Sequence, residues 1–572
     1  MPTALDHEFV RAVAGAADRL AAPLVAGPDE EPAGVPHRAL ARRVKTLIAA
    51  YRSPDSVLHG SGRAVAAAMT HLGALRAAQT TTGLFAGGDN VQSPPDSGFT
   101  VNDVCDAHVL AAAAGPELRG VTDTLAEIAG AAAGSLLTGG VHTPNHRWEL
   151  SAALARLHRS FPDDRLLDRV GEWLAEGVDI DAEGLYSERS ANYAAHVSNP
   201  SLLLLADVLD RADLRDAVER NLAATLDLIR PDGTVETVLS RRQDQNHPFP
   251  LAPYLPHYRL LAIRTGRGDF SRAARLAASG GIDDPDLLAE TLLTPDLCRP
   301  LPAPAPEPLP RDRYLSTARL AARASATAHT VVYGGSDVPE HRRIRSGLAC
   351  NPTFMRLFAG EAVLDAVRLS RGFFDLGPFR AADVERSADH RYRLTERLTA
   401  AYYQPLPPDL RRDDAAYRMA DEGRFSAAMS FADRPRDEVS HTTRVEVDLR
   451  EDGADLRIDI SGPRVPWSLE LTFRPGGVPE GAVPIGDGRW CLTTGSMTYR
   501  VGDDEIRVEA DVASGEPPAG PDRSDVLRYD PGQDYSVVGG TDATTGNRVY
   551  IGGLGPHTLT VALRAHRSAP VV

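Results

Sequence analysis

The chain has 572 residues, a length that predicts at least two domains and a sizeable core. It carries 78 acidic and 62 basic side chains, and the net charge of −16 argues against nucleic acids and anionic membranes as general partners. An acidic protein still binds an acidic ligand where basic groups converge locally.

The N-terminal segment gives no targeting signal. Its first 20 residues contain acidic side chains and no apolar core of signal-peptide length, and no stretch of the chain is long enough to span a bilayer. We therefore expect a cytoplasmic protein without a membrane partner. The sequence leaves homo-oligomerisation open.

The four cysteines lie far apart and form no CxxC pair: Cys105, Cys298, Cys350 and Cys491. This spacing predicts free thiols and argues against a disulfide framework or a structural zinc site. Because histidines and cysteines do not pair at ligand spacing, we expect the protein to need neither a metal nor another cofactor.

The first 300 residues repeat a helical pattern. Eight segments have apolar residues at three- and four-residue spacing: 38–52, 62–79, 104–115, 121–137, 147–161, 165–178, 200–212 and 214–229. Gly, Pro, Asn and Asp separate them, as expected of helix ends. Successive helical hairpins indicate an α/α array, either a solenoid or a closed toroid, and periodicity alone leaves both open.

The pattern changes after a Pro-rich linker at 301–310. Beyond it, short strand-like segments follow one another without helices between them. In the clearest pair, apolar residues alternate on both sides of an Asp452-Gly453 turn: Val445, Val447, Leu449, Leu456, Ile458 and Ile460. The prediction is an α+β protein with two domains, an α/α domain at 1–300 and an antiparallel β-sandwich at 311–572.

A polar stretch between His142 and His196 interrupts the helical pattern. Thr143-Pro144 predicts an N-cap and a first helical residue, which places Asn145 and His146 in the first turn of a helix. A helix N-terminus carries positive partial charge and free N–H groups, so an anion is favoured there. This stretch is the first candidate for a binding site.

The same stretch contains a second polar group shortly before the next helix. Arg189, Tyr193 and His196 lie between a turn at 181–184 and the Asn199-Pro200 helix start, and Arg147 adds a further guanidinium. Packing does not require polar residues at this density between helices. We interpret the whole stretch as a functional site.

Two further polar loops occur in the helical half. The loop at 83–104 carries Asn90 and Gln92, and its Thr100 and Asp103 have capping-box spacing that predicts a helix start. The loop at 235–250 carries four more candidates for substrate binding: Arg241, Arg242, Asp244 and His247. Loops at one end of an α/α array share a face, which predicts one pocket lined by all of these loops.

Together these features resemble the heparinase II/III-like polysaccharide lyases, a group related to toroid-type alginate lyases. The resemblance rests on an α/α domain followed by a β-sandwich, on the Asn145-His146 pair heading a helix, and on the ERSxxY segment at 188–193. It implies an α/α toroid, an acidic oligosaccharide or polysaccharide as substrate, and lyase activity. In that family an Asn or His neutralises the substrate carboxylate and a Tyr transfers the proton, roles that here correspond to Asn145, His146 and Tyr193.

One position departs from the family pattern. Family members often carry a histidine in the first strands of the sandwich, as a catalytic or metal-binding residue. In this chain Cys350 and Asn351 stand at the corresponding place. We assign Asn351 to the predicted substrate-binding residues.

The chemistry of β-elimination explains why these residue types occur together. Removal of the C5 proton of a uronate requires that the charge of its carboxylate be offset, and Asn145, His146 and Arg189 are candidate donors to the developing enolate. Tyrosine titrates near pH ~10, so Tyr193 needs nearby cations to act as a base. It then returns the proton to the leaving oxygen.

Two other functional classes stay open. A glycoside hydrolase needs two carboxylates, about 6.5–9.5 Å apart if it inverts, and four candidates are present: Asp96, Glu188, Glu236 and Asp244. The third class is a carbohydrate-binding relative without catalysis. Structural roles also compete with the functional ones, since Asn145 and His146 can serve a helix start or packing, and Tyr186 lies close to Tyr193.

Overall fold

The computed structural model describes residues 4–27, 32–88, 90–341, 347–374, 376–423, 425–486, 488–511 and 545–567. The chain divides into two compact units. The helical unit comprises Met1–Ser187, Ala191–Leu228 and Pro250–Glu307, and the β-unit comprises Glu188–Ser190, Ile229–Phe249 and Pro308–Val572. Two short segments from the helical half of the sequence therefore group with the strands, while the contiguous division at 301–310 stays a prediction.

The helical unit consists of thirteen described α-helices joined by short loops. They are α1 His7–Ala26, α2 His37–Arg52, α3 Gly62–Ala78, α4 Pro94–Ala112, α5 Arg119–Thr138, α6 Pro144–Ser160, α7 Asp164–Leu174, α8 Ala191–Tyr193, α9 Asn199–Leu209, α10 Ala212–Leu226, α11 Leu255–Thr265, α12 Gly268–Ala278 and α13 Leu287–Leu293. A π-helical turn, Ala194–Ser198, joins α8 to α9. All eight segments predicted to be helical are helices.

Packing between the helices closes a ring. Helix α2 packs on α4, α4 on α6 and α6 on α9. The ring continues from α9 through α10 to α11, and the turn Pro295–Cys298 connects α11 with α13, which packs on α2. The helices α3, α5 and α7 each pack on the ring helix that precedes them. Many of the buried contacts are alanines, such as Ala152, Ala153 and Ala155 of α6, and small side chains let neighbouring helices approach closely. The arrangement is a toroid, which decides the choice that periodicity left open.

The start of α4 differs from the sequence prediction. The helix begins at Pro94, and the Ser93 hydroxyl accepts a hydrogen bond from the backbone N–H of Asp96 at 3.2 Å. Thr100 and Asp103, predicted as a capping box, lie inside the helix, so that prediction was wrong. Serine at the N-cap followed by proline provides an earlier start, and the later capping residues are not needed.

The β-unit contains twenty-one described strands and one short helix. The strands are β1 Thr234–Val235, β2 Phe249–Pro250, β3 Arg311–Leu315, β4 Leu320–Ala324, β5 His329–Tyr333, β6 Met355–Ala359, β7 Ala362–Arg371, β8 Val384–Ala388, β9 Arg391–Tyr403, β10 Ala420–Asp421, β11 Ser426–Ala427, β12 Arg436–Arg450, β13 Gly453–Ser461, β14 Pro466–Phe473, β15 Pro479–Glu480, β16 Val483–Gly486, β17 Arg489–Cys491, β18 Ser496–Val501, β19 Asp504–Ala510, β20 Asn547–Leu554 and β21 His557–His566. The helix is α14 Val338–His341.

Two large sheets form the sandwich. One has the strand order β15-β18-β19-β21-β13-β12-β9-β8, and the other has the order β16-β17-β20-β14-β7-β6-β5-β4-β3. Neighbouring strands in both are antiparallel except β17 and β20. Apolar residues of both sheets share one core, with Leu369 and Leu471 from the nine-stranded sheet and Val447 and Ile458 from the other. The predicted antiparallel β-sandwich is confirmed.

The predicted β12–β13 hairpin is present, but its two-residue turn is Glu451-Asp452, because Gly453 already pairs with Arg450. Val445 pairs with Ile458 and Val447 pairs with Leu456, so the alternating apolar residues face the core together. Gly453 begins β13 with φ of 147°, and a Cβ atom at this position would lie 2.1 Å from the Leu563 carbonyl oxygen. This position therefore requires glycine.

The segment 229–249 packs on the nine-stranded sheet through buried ion pairs. Glu236 contacts Arg356 of β6 at 2.7 Å and Arg230 at 3.6 Å, and Asp232 contacts Arg474 at 2.6 Å. Burial would raise the pKa of Glu236, but the two guanidiniums hold that pKa below its ordinary value of 4.5. The carboxylate remains ionised at neutral pH.

We expect Glu236→Gln to lower the free energy of unfolding by about 3 kcal/mol at pH 7, because the neutral amide leaves two buried guanidiniums uncompensated. Since the folded pKa of Glu236 is depressed, its stabilising effect is complete above pH 4.5 and is lost as the pH falls through the folded pKa. Urea unfolding at several pH values measures the difference in the free energy of unfolding between Glu236→Gln and the wild type. This difference should become smaller below about pH 4. The exposed Glu385, paired with Arg393 at 3.2 Å, provides a control, and an equal loss in Glu385→Gln would contradict this account.

Candidate functional site

Asn145 and His146 lie in the first turn of α6, as predicted. Both are buried, with 1% and 7% of their surface exposed. Thr143 occupies the predicted N-cap position and has extended backbone angles, but its hydroxyl does not cap a backbone N–H of the helix. The positions of Asn145 and His146 therefore depend on tertiary contacts and not on a side-chain cap at the start of α6.

The His146 ring contacts two other aromatic rings. It packs edge-on against His142, with the ring centroids 4.7 Å apart, and against Phe99 of α4 at 6.3 Å. The guanidinium of Arg38, in the first turn of α2, lies over the Phe99 ring, 4.1 Å from the ring centroid. Arg38 of α2, Phe99 of α4 and His146 of α6 thus contact one another in a row.

The predicted residue Asn90 belongs to the same group. Asp96 forms an ion pair with Arg38 and accepts hydrogen bonds from the backbone N–H and the side-chain amide of Asn90, at 2.9 and 3.1 Å. We call these residues the helix-end cluster: Arg38, Asn90, Asp96, Phe99, His142, Asn145 and His146. The sequence indicated the asparagines and histidines but gave no signal for Arg38 or Phe99, which occur in ordinary helical patterns.

Tyr193 and His196 lie at an irregular point of the helical backbone. Tyr193 is half-buried and ends α8, and the π-helical turn that follows carries the exposed His196. The Tyr254 hydroxyl donates a hydrogen bond to the Ala191 carbonyl oxygen at 3.0 Å and so anchors this short helix. Partial desolvation by its neighbours lowers the pKa of His196, although the ring stays accessible to solvent. Single π-turns inside helices are frequent at functional sites.

Tyr186, the alternative to Tyr193, has a structural role. It is buried, and its hydroxyl donates to Asn199 at 2.9 Å. Asn199 in turn donates to Asn221 at 3.1 Å, and Asn221 donates to the Gly184 carbonyl oxygen at 3.0 Å. Burial raises the pKa of Tyr186 well above its ordinary value. A tyrosine whose hydroxyl is used in this chain of bonds is not suited to proton transfer.

Two other predicted residues have their own environments in the helical unit. Arg147 pairs with Glu176 at 2.8 Å and Asp179 at 3.2 Å, and its guanidinium lies over the ring of Trp148. Gln92 is exposed and has a left-handed backbone, with φ of 49°. Their predicted contacts with a substrate stay predictions.

The remaining predicted residues lie in the β-unit. Arg189, with φ of 50°, donates to the Thr317 carbonyl oxygen at 2.6 Å. Arg242 contacts Glu188 at 3.4 Å, and Asp244 accepts a hydrogen bond from Ser190 at 2.9 Å. The segments 188–190 and 240–244 are therefore tied to each other by side chains that the sequence analysis assigned to one site.

An arginine–carboxylate pair extends this group to the strands. Arg241 binds Asp337 through two hydrogen bonds, of 2.9 and 3.0 Å. Burial would raise the pKa of Asp337, but Arg241 and the backbone N–H of Ala349 hold that pKa below its ordinary value. Tyr333 of β5 is buried among these charges, and burial raises its pKa. The sequence analysis did not single out Asp337 or Tyr333.

Asn351 is held in place by backbone contacts. Its amide donates to the Gln245 carbonyl oxygen at 2.8 Å, and its own oxygen accepts from the Thr353 backbone N–H at 2.9 Å. The Gln245 side chain accepts hydrogen bonds from the backbone N–H groups of Cys350 and Asn351, both at 3.1 Å. These hydrogen bonds give Asn351 a structural role. Asn351 stands where members of the resembled family often carry a histidine. His247 is exposed.

The four carboxylates considered for hydrolysis are all held by donors. Asp96 pairs with Arg38, Glu188 with Arg242, and Glu236 with Arg356 and Arg230, while Asp244 accepts from Ser190 and Ser240. A general acid in a glycosidase needs a raised pKa. The pKa of Glu236 is lowered instead.

The helical unit contains a cavity of about 980 Å³ that the sequence did not indicate. Arg38, Phe99 and His196 line it, and so do polar residues from the middle of the ring helices, such as Glu149 and Glu290. We call it the interior cavity. The polar residues that line the interior cavity recur at helical spacing within apolar segments. That spacing is the sequence signal that could have indicated a polar cavity.

The described part of the chain shows neither a cluster of metal ligands nor a helix that could span a membrane. Among these residues, no group of three or more His, Cys, Asp or Glu side chains is placed to hold a metal ion. The described helices include none that is both long and apolar enough to cross a bilayer.

No protein-family model matches the chain, and no curated protein matches its sequence. Solved structures do match. A mutant of the chondroitin AC lyase from Streptomyces coelicolor A3 aligns with a TM-score of 0.52 and 12% identity, over 98% of this chain and 77% of that one. The complex of this lyase with chondroitin sulphate aligns with a TM-score of 0.49 and 14% identity, over the same shares. A Paenibacillus xanthan lyase aligns with a TM-score of 0.48 and 12% identity, over 97% and 56%.

The chain has the fold of a polysaccharide lyase. The alignment with the highest of the three TM-scores, 0.52, has 12% identity and shows the fold alone. It consists of a helical toroid followed by an antiparallel β-sandwich, which confirms the fold class predicted from the sequence. The finer resemblance to heparinase II/III-like lyases stays a prediction.

We expect Tyr186→Phe to lower the free energy of unfolding by about 1–3 kcal/mol, because it leaves the Asn199 oxygen buried without its donor. Thermal unfolding measures this loss. Turnover should stay near the wild-type value on any substrate that the protein cleaves. A stable Tyr186→Phe variant without turnover would contradict the structural role of this residue.

Proposed function

We propose that this protein is a carbohydrate lyase that cleaves uronate-containing oligosaccharides or polysaccharides by β-elimination. One observation carries the proposal: Asn145 and His146 lie together in the first turn of α6, within a cluster where three helices begin. A polysaccharide lyase shares the fold. The resemblance that rests on Asn145, His146 and Tyr193 implies the same reaction, β-elimination.

The helix-end cluster suits a carboxylate. The N-terminal ends of α2, α4 and α6 direct positive partial charge and N–H groups toward one region. Arg38 is paired with Asp96, so its charge is already compensated there. We therefore assign the substrate carboxylate to Asn145 and His146, whose side chains supply donors that do not have to reorganise during the reaction.

Tyr193 is the proposed proton-transfer residue. Its phenolate oxygen removes the C5 proton of the uronate, the electron pair forms the C4–C5 double bond, and the C4–oxygen bond breaks. The tyrosine then gives the proton to the leaving oxygen, so one group serves as base and acid. Asn145 and His146 stabilise the negative charge that develops on the carboxylate as an enolate.

The four carboxylates that the sequence offered for hydrolysis receive less support from the structure. A hydrolase requires a carboxylic acid that keeps its proton beside a second carboxylate. The candidates Asp96, Glu188, Glu236 and Asp244 are held instead by cations or hydroxyls. A binding protein without catalysis predicts ligand affinity but no unsaturated product, and the experiments below separate these cases.

Tyr193→Phe should reduce turnover by about 10³- to 10⁴-fold, because it keeps the ring and removes the hydroxyl that carries the proton. Substrate affinity and melting temperature should change little. Turnover is followed by the absorbance of the unsaturated uronate on a panel of acidic oligosaccharides. The exposed Tyr402 offers a matched control, and Tyr402→Phe should keep wild-type turnover. Wild-type turnover in Tyr193→Phe would assign proton transfer to another residue.

His146→Ala should weaken substrate binding and slow turnover together, because the assigned carboxylate contact exists before and during the reaction. Tyr193→Phe, in contrast, should change turnover alone. Steady-state kinetics and calorimetric binding to each variant separate the two roles. His59 is exposed, so His59→Ala controls for the loss of a histidine. Unchanged affinity in His146→Ala would remove this residue from the carboxylate site.

A further inference from the structure

The interior cavity lies inside the ring of helices. Residues of six ring helices and their connections line it, including α2, α4, α6, α9, α11 and α13. On α6 the lining runs from Glu149 to Arg159, about 15 Å along the helix axis at 1.5 Å per residue. Its volume of about 980 Å³ lies at the upper end of the range for small-molecule sites.

Four of the five lysine and arginine side chains that line the cavity have carboxylate partners, and the fifth, Arg159, is exposed. Lys45 forms ion pairs with Asp103 and Asp286, and Arg42 contacts Asp286 at 2.7 Å. Arg156, from α6, contacts Asp106 at 2.8 Å. An anionic ligand would have to displace these carboxylates. The wall therefore disfavours an acidic sugar, in contrast to the helix-end cluster.

Two polar side chains of the cavity wall, His257 and Glu290, form no ion pair among the described residues. His257 is 5% exposed, and neither of its ring nitrogens has a hydrogen-bond partner among the described residues. The Glu290 carboxyl makes no described hydrogen bond or ion pair, although Asp284 and Lys45 lie in its electrostatic environment. Buried polar groups are normally hydrogen-bonded, and each exception calls for an explanation such as a ligand.

Burial favours the uncharged forms of both groups. Burial lowers the pKa of His257 to about 3, and burial, followed by the charge of Asp284, raises the pKa of Glu290 to about 8. A neutral imidazole offers one donor and one acceptor, and a protonated carboxyl offers the same combination. Hydroxyl groups, which also donate and accept, match both.

We propose that the interior cavity binds an uncharged, hydroxyl-rich sugar unit, with hydrogen bonds from its hydroxyls to His257 and Glu290. Apolar wall residues such as Phe99, Pro256 and Leu260 provide surface for the C–H faces of the ring. The inference rests on the proposed function in taking this unit to be part of the acidic substrate. That substrate then contains uncharged sugars as well as uronates.

Free sugars test the cavity without turnover. The full-length protein is titrated with D-glucose, D-galactose, D-mannose, N-acetylglucosamine and N-acetylgalactosamine, and with D-glucuronate as the acidic comparison. We expect saturable binding of at least one neutral sugar with a Kd in the millimolar range, and at least about ten-fold weaker binding of glucuronate. Calorimetry and saturation-transfer NMR measure both. No saturation by any neutral sugar at about 50 mM, or tighter binding of glucuronate, would overturn the proposal.

Variants then locate the binding. His257→Phe keeps a ring of similar shape and Glu290→Met a chain of similar length, and neither removes a hydrogen bond within the protein. Each should weaken neutral-sugar binding at least about ten-fold while the melting temperature stays the same or rises. Glu127→Met, at an exposed position, should bind as the wild type does. Unchanged binding in both cavity variants would overturn the proposal.

The proton-transfer variant separates this inference from the proposed function. Tyr193→Phe should bind the neutral sugar as the wild type does, because Tyr193 does not line the interior cavity. Sugar binding that depends on His257 and Glu290 without any lyase activity would refute the proposed function and support the cavity site. Lyase activity without neutral-sugar binding would refute the cavity site alone.

Discussion

The ion pair between Arg38 and Asp96 joins the beginnings of two ring helices, and the candidate site depends on it. Asp96 also orders Asn90, while Arg38 covers the ring of Phe99, which contacts His146. Three helix ends carrying like partial charges would repel one another without a compensating carboxylate. Asp96 supplies that charge, so the first turn of α6 can present Asn145 and His146 to a ligand.

Cations inside the toroid are also paired with carboxylates. A ring of helices around a polar cavity is stable only if its charges are paired, because an isolated buried charge costs several kcal/mol. Lys45, Arg42 and Arg156 each have a carboxylate partner. This pairing leaves Glu290 and His257 as neutral polar groups in the wall. The helical unit thus combines a helix-end cluster suited to an anion with a cavity suited to uncharged polar groups.

Much of the architecture follows from local patterns. Alternation predicted the β12–β13 hairpin and which of its residues face the core, because a shift by one residue would turn Val447 and Ile458 away from it. The turn lies at Glu451-Asp452, one residue before the predicted Asp452-Gly453. The start of α6 at Pro144 was also predicted. The capping box at Thr100 was wrong, since several residues near a helix start can cap it with similar free energies. Ser93 does so earlier in the chain.

The sequence by itself determined the order of helices and strands, the sandwich and the first turn of α6, since hydrophobic period and turn chemistry are local properties. Only the tertiary structure decided that the helices close into a toroid, that segments 188–190 and 229–249 group with the strands, and that polar residues of six ring helices line one cavity. It also gave Tyr186 a structural role, through the hydrogen bond of its hydroxyl to Asn199. Contacts between residues far apart in the chain leave no local pattern, and they decide which polar side chains are free to act on a ligand.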